Sequence, residues 1–190
     1  MTKVDKPVFV NTTRASSAVV EKRKMPDKKG SFLVFQREFG LVYAPRFVKT
    51  VSFSDCIVTT FFCPSIGIGG MAHFDRWTHI QNSFERVIIP RLQSISREAK
   101  QFQSRLIGGE PNISENIRQE ILRELSILGI EILGIEPNGR YDQGAIMETA
   151  SGEVHELIHV VNDIDSLKRL NDGARYLAGR NSLIRDVSQL

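Results

Sequence analysis

The sequence predicts an α/β protein whose single domain is a layered α/β sandwich. Its 190 residues are sufficient for one domain with a sizeable core. Most apolar segments are short, rich in β-branched and aromatic residues and bounded by turn residues, which is typical of strands. A few longer segments carry apolar residues at helical spacing. Because these helices do not alternate regularly with the strands, a doubly wound parallel sheet is disfavoured.

Eight segments are predicted to be strands from their apolar content and their flanking turns. They are residues 31–36, 40–43, 47–53, 56–62, 66–74, 130–135, 145–149 and 153–160. The segment 66–74 is rich in glycine, so we expect another backbone to approach it closely.

Four helices are expected from apolar stripes and from helix-ending residues. They are one from Ile80 that Pro90 ends or kinks, one through Leu92 and Ala99 that Gly108 breaks, one from Asn112 to Gly129, and one over residues 163–178. Asn112 and Glu115 have the spacing of a capping box. The residues after Gly179 are predicted to be loose.

The distribution of charge divides the chain. Residues 1–30 hold eight Lys and Arg against three acids and lack a hydrophobic period, so we predict a basic, disordered arm. Residues 31–162 are predicted to form the folded domain, and residues 163–190 a C-terminal helix and tail. Acidic residues outnumber basic ones after residue 30, so we expect no nucleic-acid partner.

The chain has no apolar run long enough for a membrane span and no apolar N-terminal leader, so we expect a cytoplasmic protein. Its two cysteines, Cys56 and Cys63, are too few for a secreted disulfide framework. Each thiol is therefore predicted to be either core filler or part of a reactive site.

Cys56 is the better candidate for chemistry because Ser54 and Asp55 interrupt the strand pattern just before it. His73 follows seventeen residues later, so two antiparallel strands could bring the two side chains together. Thr50, six residues before Cys56, could hydrogen-bond the far nitrogen of His73 and fix its tautomer. We expect these three side chains to meet in a cluster open to solvent. On the residues alone, a structural role for such a Cys–His pair is the more common outcome.

Residues 50–56 (TVSFSDC) and 69–74 (GGMAHF) carry this Thr, Cys and His spacing. In it the chain resembles CheD, the chemoreceptor glutamine deamidase family. Weaker similarity continues at residues 105–109 (RLIGG), at Asn116, at 129–132 (GIEI), at 139–140 (GR) and at 151–154 (SGEV). The resemblance covers about residues 31–160.

The resemblance implies a three-layer α/β sandwich like the catalytic domain of cytotoxic necrotizing factor toxins. It also implies deamidation of glutamine on methyl-accepting chemotaxis receptors through a thioester on Cys56, with His73 as base, Thr50 as its partner and no cofactor or metal. The partners that it implies are receptor cytoplasmic domains and a CheC-type phosphatase.

The sequence departs from the family at Ser52, Ser54 and Asp55, where the family has a glycine-rich segment ending in serine. A carboxylate at Asp55 disfavours a thiolate if it points inward. A non-catalytic chemotaxis docking module that binds a CheC-type phosphatase is therefore an alternative.

A zinc metallopeptidase is the third alternative, because residues 155–159 spell H-E-x-x-H. This motif binds zinc only on a helix. Here it falls in a predicted strand, where residues four apart are about 13 Å apart along the chain.

Overall fold

Two β-sheets and a layer of helices form one domain in this computed structural model, which describes residues 31–53, 55–110, 112–136, 140–158 and 183–190. The strands are β1 (Ser31–Leu33), β2 (Glu38–Tyr43), β3 (Phe47–Phe53), β4 (Ile57–Cys63), β5 (Ile68–Phe74), β6 (Gln103–Gly108), β7 (Glu131–Glu136), β8 (Arg140–Glu148), β9 (Val154–Ile158) and β10 (Arg185–Asp186). The predicted class, a layered α/β sandwich, is confirmed.

The helical segments lie between β5 and β7. They are α1 (Ile80–Ser83), a π-helical turn (Phe84–Ile88), α2 (Ile89–Ile95), a 3-10 turn (Ala99–Gln101) and α3 (Glu115–Ile127). Pro90 does not end the helical run as expected, because the run continues through α2 to Ile95. The turn before Pro90 is widened into a π-helical turn, closed by a hydrogen bond from the Ile89 N–H to the Phe84 carbonyl, five residues back.

The larger sheet has six strands in the order β10-β2-β5-β4-β6-β7, and the smaller has four in the order β1-β3-β8-β9. In the larger sheet β4 is antiparallel to both β5 and β6. The turn at residues 64–67 joins β4 to β5, as the Pro64-Ser65 pair predicts.

Two separate cores follow from the period-2 alternation of the central strands. Ile57 and Phe61 of β4 face the helices, whereas Val58 and Phe62 face the smaller sheet. The core between the two sheets contains Val34, Val42, Val48, Cys56, Val58, Phe62, Met71, Ile107, Ala145 and Met147. The core under the helices includes Phe39, Phe74, Phe84, Leu92, Leu106, Ile121 and Leu125. The protein therefore has three layers, with the larger sheet in the middle.

The predicted close backbone approach occurs at Gly70 of β5. A Cβ atom at this position would collide with the carbonyl oxygen of Gly40 and lie 2.6 Å from a methyl group of Leu41. Only glycine fits here, and its absent side chain lets β2 and β5 pair closely.

Three further expectations about the fold were wrong. Residues 103–108 form a strand rather than the end of a helix. Buried Phe102, Ser104 and Leu106 alternate with half-buried positions, which is the period of a strand. Helix α3 begins at Glu115 with Ser114 as its N-cap, not in a capping box at Asn112.

The third error concerns the end of the chain, which was expected to be loose. Ile184 is only 2% exposed, and Arg185–Asp186 pairs in parallel with β2. Tertiary contacts with β2 order this segment, although its own sequence carries little strand signal. The predicted arm (1–30) and the predicted helix (163–178) lie outside the described residues.

No helix within the described ranges is long and apolar enough to cross a membrane.

Candidate functional site

The candidate site lies at one end of the larger sheet, where β4 begins and where β5 and β6 end. Val58 is opposite His73 across the β4–β5 pair, and Ile57 is opposite Gly108 across the β4–β6 pair. Continuing these registers by one residue places Cys56 between Asp75 and Gly109. Cys56 and His73 are thus diagonal neighbours on the sheet face directed at the smaller sheet, a position from which side chains interact.

Thr50 approaches His73 from the other sheet. Its Oγ1 lies 2.8 Å from Nδ1 of His73, and both side chains are fully buried. Thr50 is on β3, and His73 is near the end of β5. The hydrogen bond therefore forms as the sequence predicts and joins the two sheets. If Nδ1 carries the ring proton and donates a hydrogen bond to the Thr50 hydroxyl, Nε2 is left as the unprotonated, basic nitrogen.

Cys56 is buried, contrary to the expectation of a cluster open to solvent. The residue is 1% exposed, because it packs into the apolar core between the two sheets. Cys63 is also buried, in the core under the helices, where its sulfur lies 3.3 Å from the hydroxyl of Ser65. The structure brings the three predicted site residues to one end of the sandwich, and their catalytic roles stay a prediction.

Two features of Asp55 bear on Cys56. An oxygen of its carboxylate, Oδ1, lies 4.0 Å from the Cys56 sulfur, where a negative charge opposes a thiolate. Its backbone carbonyl accepts a hydrogen bond of 2.6 Å from the hydroxyl of Ser114. Ser52, the other described departure from the CheD pattern, lies where the β3–β8 register is irregular, between Val51 and Phe53. Ser54 lies outside the described residues.

A buried ion pair next to His73 was not predicted. The Arg37 Nε lies 2.8 Å from Oδ2 of Asp75, and the Gln36 side-chain amide donates to the same oxygen over 2.7 Å. The Arg37 N–H also donates to the carbonyl oxygen of His73 over 2.8 Å. Arg37 adopts a positive φ of 59°, which is uncommon for a residue other than glycine. These contacts fix the backbone that carries His73.

No local pattern marks Arg37 and Asp75 as partners, since they are 38 positions apart. The sequence does place an Arg and an Asp directly beside strands whose apolar content predicts burial. Charged side chains in such positions are rarely buried without a partner, which is the signal that could have predicted this pair.

Helix α3 places a second charged group at this end of the sheet. The buried guanidinium of Arg118 is directed by Nη2 to the carbonyl oxygens of Gly108 (3.4 Å) and Gly109 (3.3 Å). Its Nη1 is paired with Glu115. The pKa of Glu115 lies below its ordinary value, because the Gln119 side chain donates to its carboxylate and because Arg118 is positively charged; slight desolvation opposes this. This charged pair ties α3 to the end of β6.

The H-E-x-x-H segment begins on a strand rather than a helix. His155 lies in β9, which pairs antiparallel with β8. The helical geometry that places two such histidines on one zinc ion is therefore absent from residues 154–158. Across the described ranges, no three His, Cys, Asp or Glu side chains are grouped to hold a metal ion.

No family model matches the chain, and no curated protein matches it either. Among solved structures the chain is similar to YfiH from Bacillus licheniformis, at 14% identity and a TM-score of 0.40, over 54% of this chain and 51% of that one. It is also similar to YlmD from Geobacillus stearothermophilus, at 17% identity and a TM-score of 0.33, over 78% and 49%.

A third similar structure is a Neisseria meningitidis protein described as DUF152, at 11% identity and a TM-score of 0.30, over 80% of this chain and 52% of that one. The chain thus spans about half the length of these three structures. None of the three names the CheD family, and likenesses this distant assign no activity.

Proposed function

We propose that the chain is a cysteine-dependent deamidase that converts glutamine side chains of methyl-accepting chemotaxis receptors to glutamate in the cytoplasm. The observation that carries this proposal is the Thr50–His73 hydrogen bond of 2.8 Å, formed at the sheet end where Cys56 immediately precedes β4. A nucleophile, a base and a third group that orients the base are the elements of thiol hydrolases. The resemblance of residues 50–56 and 69–74 to CheD supplies the substrate class.

The first step of the proposed reaction is attack of the Cys56 sulfur on the side-chain amide carbon of the substrate glutamine. His73 takes the thiol proton, and a C–S bond forms as the carbonyl oxygen becomes an oxyanion. The C–N bond then breaks, and His73 gives its proton to the departing ammonia. The product is a thioester between Cys56 and the substrate side chain.

Water completes the reaction in the second step. His73 removes a proton from a water molecule, whose oxygen attacks the thioester carbon. The C–S bond breaks, the thiol of Cys56 is restored, and glutamate is released. The proposal includes no metal and no cofactor.

Access to Cys56 requires movement of the residues that cover it, because the sulfur lies in the core between the sheets. Contact with a protein substrate is a natural source of the required energy. Close to the site, Trp77 is 49% exposed and the Arg76 guanidinium lies 4.1 Å from the centre of its ring. Exposed Trp and Arg side chains are common anchors in protein interfaces, so we place receptor contact here.

The test is mass spectrometry of receptor cytoplasmic fragments incubated with the protein, with ammonia release measured in parallel. We expect a gain of about 1 Da at specific glutamines, the change made by amide hydrolysis. Cys56→Ala and His73→Ala should abolish both signals. Cys63→Ala is the matched control, because it removes the other buried thiol from a different core. Deamidation that persists in both site variants would overturn the proposal.

A second candidate is a docking module without catalytic activity. The burial of Cys56 and the Asp55 carboxylate 4.0 Å from its sulfur favour it, since both oppose formation of a thiolate. Calorimetric titration with receptor fragments and with a CheC-type phosphatase distinguishes the two functions. A docking module binds without modifying its partner, and with equal affinity in wild type and Cys56→Ala.

A further inference from the structure

Ser114 occupies the N-cap of α3 but does not cap the helix. An N-cap serine ordinarily accepts a hydrogen bond from a backbone N–H of the first turn. Here no such bond forms. Instead the buried Ser114 hydroxyl donates a hydrogen bond of 2.6 Å to the carbonyl oxygen of Asp55, 59 positions away in the sequence. This contact links the N-cap residue of α3 to the peptide bond between Asp55 and Cys56.

The surroundings of Ser114 allow this contact. Gly109 has a φ of 82°, and a Cβ atom there would lie 2.9 Å from the Cβ of Ser114 and from a side-chain carbon of Ile57. Any side chain at position 109 would therefore collide with Ser114 and Ile57. Arg118 also holds this turn, through the Gly108 and Gly109 carbonyl oxygens.

We propose that Ser114 is a positioning residue that orients the Cys56 backbone N–H as a donor to the oxyanion formed during acyl transfer. The C=O and N–H of a trans peptide point in opposite directions, so holding the Asp55 carbonyl also fixes the direction of the Cys56 N–H. A backbone N–H of the nucleophile that is fixed before the reaction stabilises the developing charge without reorganisation. This inference rests on the proposed use of Cys56 as an acyl-transfer nucleophile.

Two thiol reagents separate this role from a merely structural one. p-Nitrophenyl acetate acylates a thiol: His73 takes the thiol proton, the sulfur attacks the ester carbon, and an oxyanion forms. The oxyanion returns to a carbonyl as p-nitrophenolate leaves with the electron pair of its C–O bond. Iodoacetamide alkylates the same sulfur by displacing iodide and forms no oxyanion. Both adducts on Cys56 are quantified by peptide mass spectrometry, which distinguishes them from adducts on Cys63.

We expect Ser114→Ala to slow acylation of Cys56 about 10-fold or more, since removal of an oxyanion donor reduces such steps by about 100- to 1,000-fold. Alkylation should stay within about 2-fold of the wild-type rate, because it needs no oxyanion donor. Ser83→Ala is the matched control: Ser83 is a buried helical serine that binds the His79 carbonyl and the Ile184 N–H. It should leave both rates unchanged.

Equal slowing of both reactions by Ser114→Ala would show that Ser114 only supports the local structure, and unchanged acylation would show that it is not needed. Either result overturns the inference. A wild-type protein in which Cys56 reacts with neither reagent would also overturn it. If acylation behaves as expected but receptor glutamines stay intact, the deamidase proposal fails and the role of Ser114 stands.

Discussion

Thr50 and His73 belong to different sheets, yet the hydroxyl of one lies 2.8 Å from Nδ1 of the other. Because neither side chain is exposed to water, this bond is not replaced by solvent when it is broken. The relative position of the two sheets therefore determines the orientation of the imidazole. The geometry of the candidate site thus depends on how one sheet packs against the other.

Removal of the Thr50 hydroxyl should lower kcat strongly and should lower the free energy of unfolding only moderately. In Thr50→Val the size of the side chain is kept, but Nδ1 loses its partner, so we expect at least about a 10-fold fall in kcat from a misoriented base. The unsatisfied buried nitrogen should reduce the free energy of unfolding by about 1–3 kcal/mol. Deamidation kinetics and urea denaturation measure the two effects. Thr50→Ser, which keeps the hydroxyl, should retain most of the activity; equal losses in both variants would contradict the orienting role.

The Asp55 carboxylate should suppress the reactivity of Cys56. In Asp55→Asn the negative charge 4.0 Å from the sulfur is removed while the backbone carbonyl still accepts from Ser114. We expect faster alkylation of Cys56 by iodoacetamide, with its pH dependence moved to lower pH. The matched control is Glu85→Gln, a neutralised carboxylate on the π-helical turn. An unchanged pH profile in Asp55→Asn would show that the carboxylate does not act on the thiol.

The Arg37–Asp75 pair should be important for folding. Asp75→Asn removes the negative charge from the carboxylate that the buried Arg37 guanidinium and the Gln36 amide both bind, and breaking a buried ion pair typically costs about 3–5 kcal/mol. Urea denaturation should show this loss as a lower midpoint. Arg91→Met is the control, because its pair with Asp186 is half-exposed and should contribute less than about 1 kcal/mol. Similar losses in the two variants would contradict the difference in burial.

Acid should weaken the attachment of the C-terminal strand. Burial acts to raise the pKa of Asp186, but hydrogen bonds from Ser188 and Arg91 outweigh it, so the pKa lies below its ordinary value of 3.8. A lowered pKa in the folded state means that the carboxylate stabilises the fold above pH 3.8, and that this contribution disappears as pH falls through the lowered value. Asp186→Asn should lower Tm at pH 7 and should differ less from wild type at lower pH. A Tm difference that is independent of pH would contradict this assignment.

Much of the fold was predictable from local signals. The β-branched and aromatic runs located β3, β4 and β5 to within two residues, and Gly129 ends α3 at the expected place. The Thr50, Cys56 and His73 spacing located the candidate site, because a tight turn after Cys63 makes β4 and β5 antiparallel neighbours.

Other features depend on contacts between distant residues and leave little local signal. The pairing of Arg185–Asp186 with β2 and the Arg37–Asp75 ion pair each join segments far apart in the sequence. The burial of Cys56 likewise depends on how the smaller sheet covers the larger one, which the strand pattern does not specify.

Gly70 limits how the protein can change over evolutionary time. Its missing side chain allows β2 to lie against β5, and the same pairing carries the Arg37 N–H to the carbonyl oxygen of His73. Descendants that lacked the proposed thiol chemistry would be free to replace Cys56 with another small residue, whereas even an alanine at position 70 would force the two strands apart. Related proteins that share this architecture should therefore keep the glycine, and only those that share the proposed reaction should also keep the thiol.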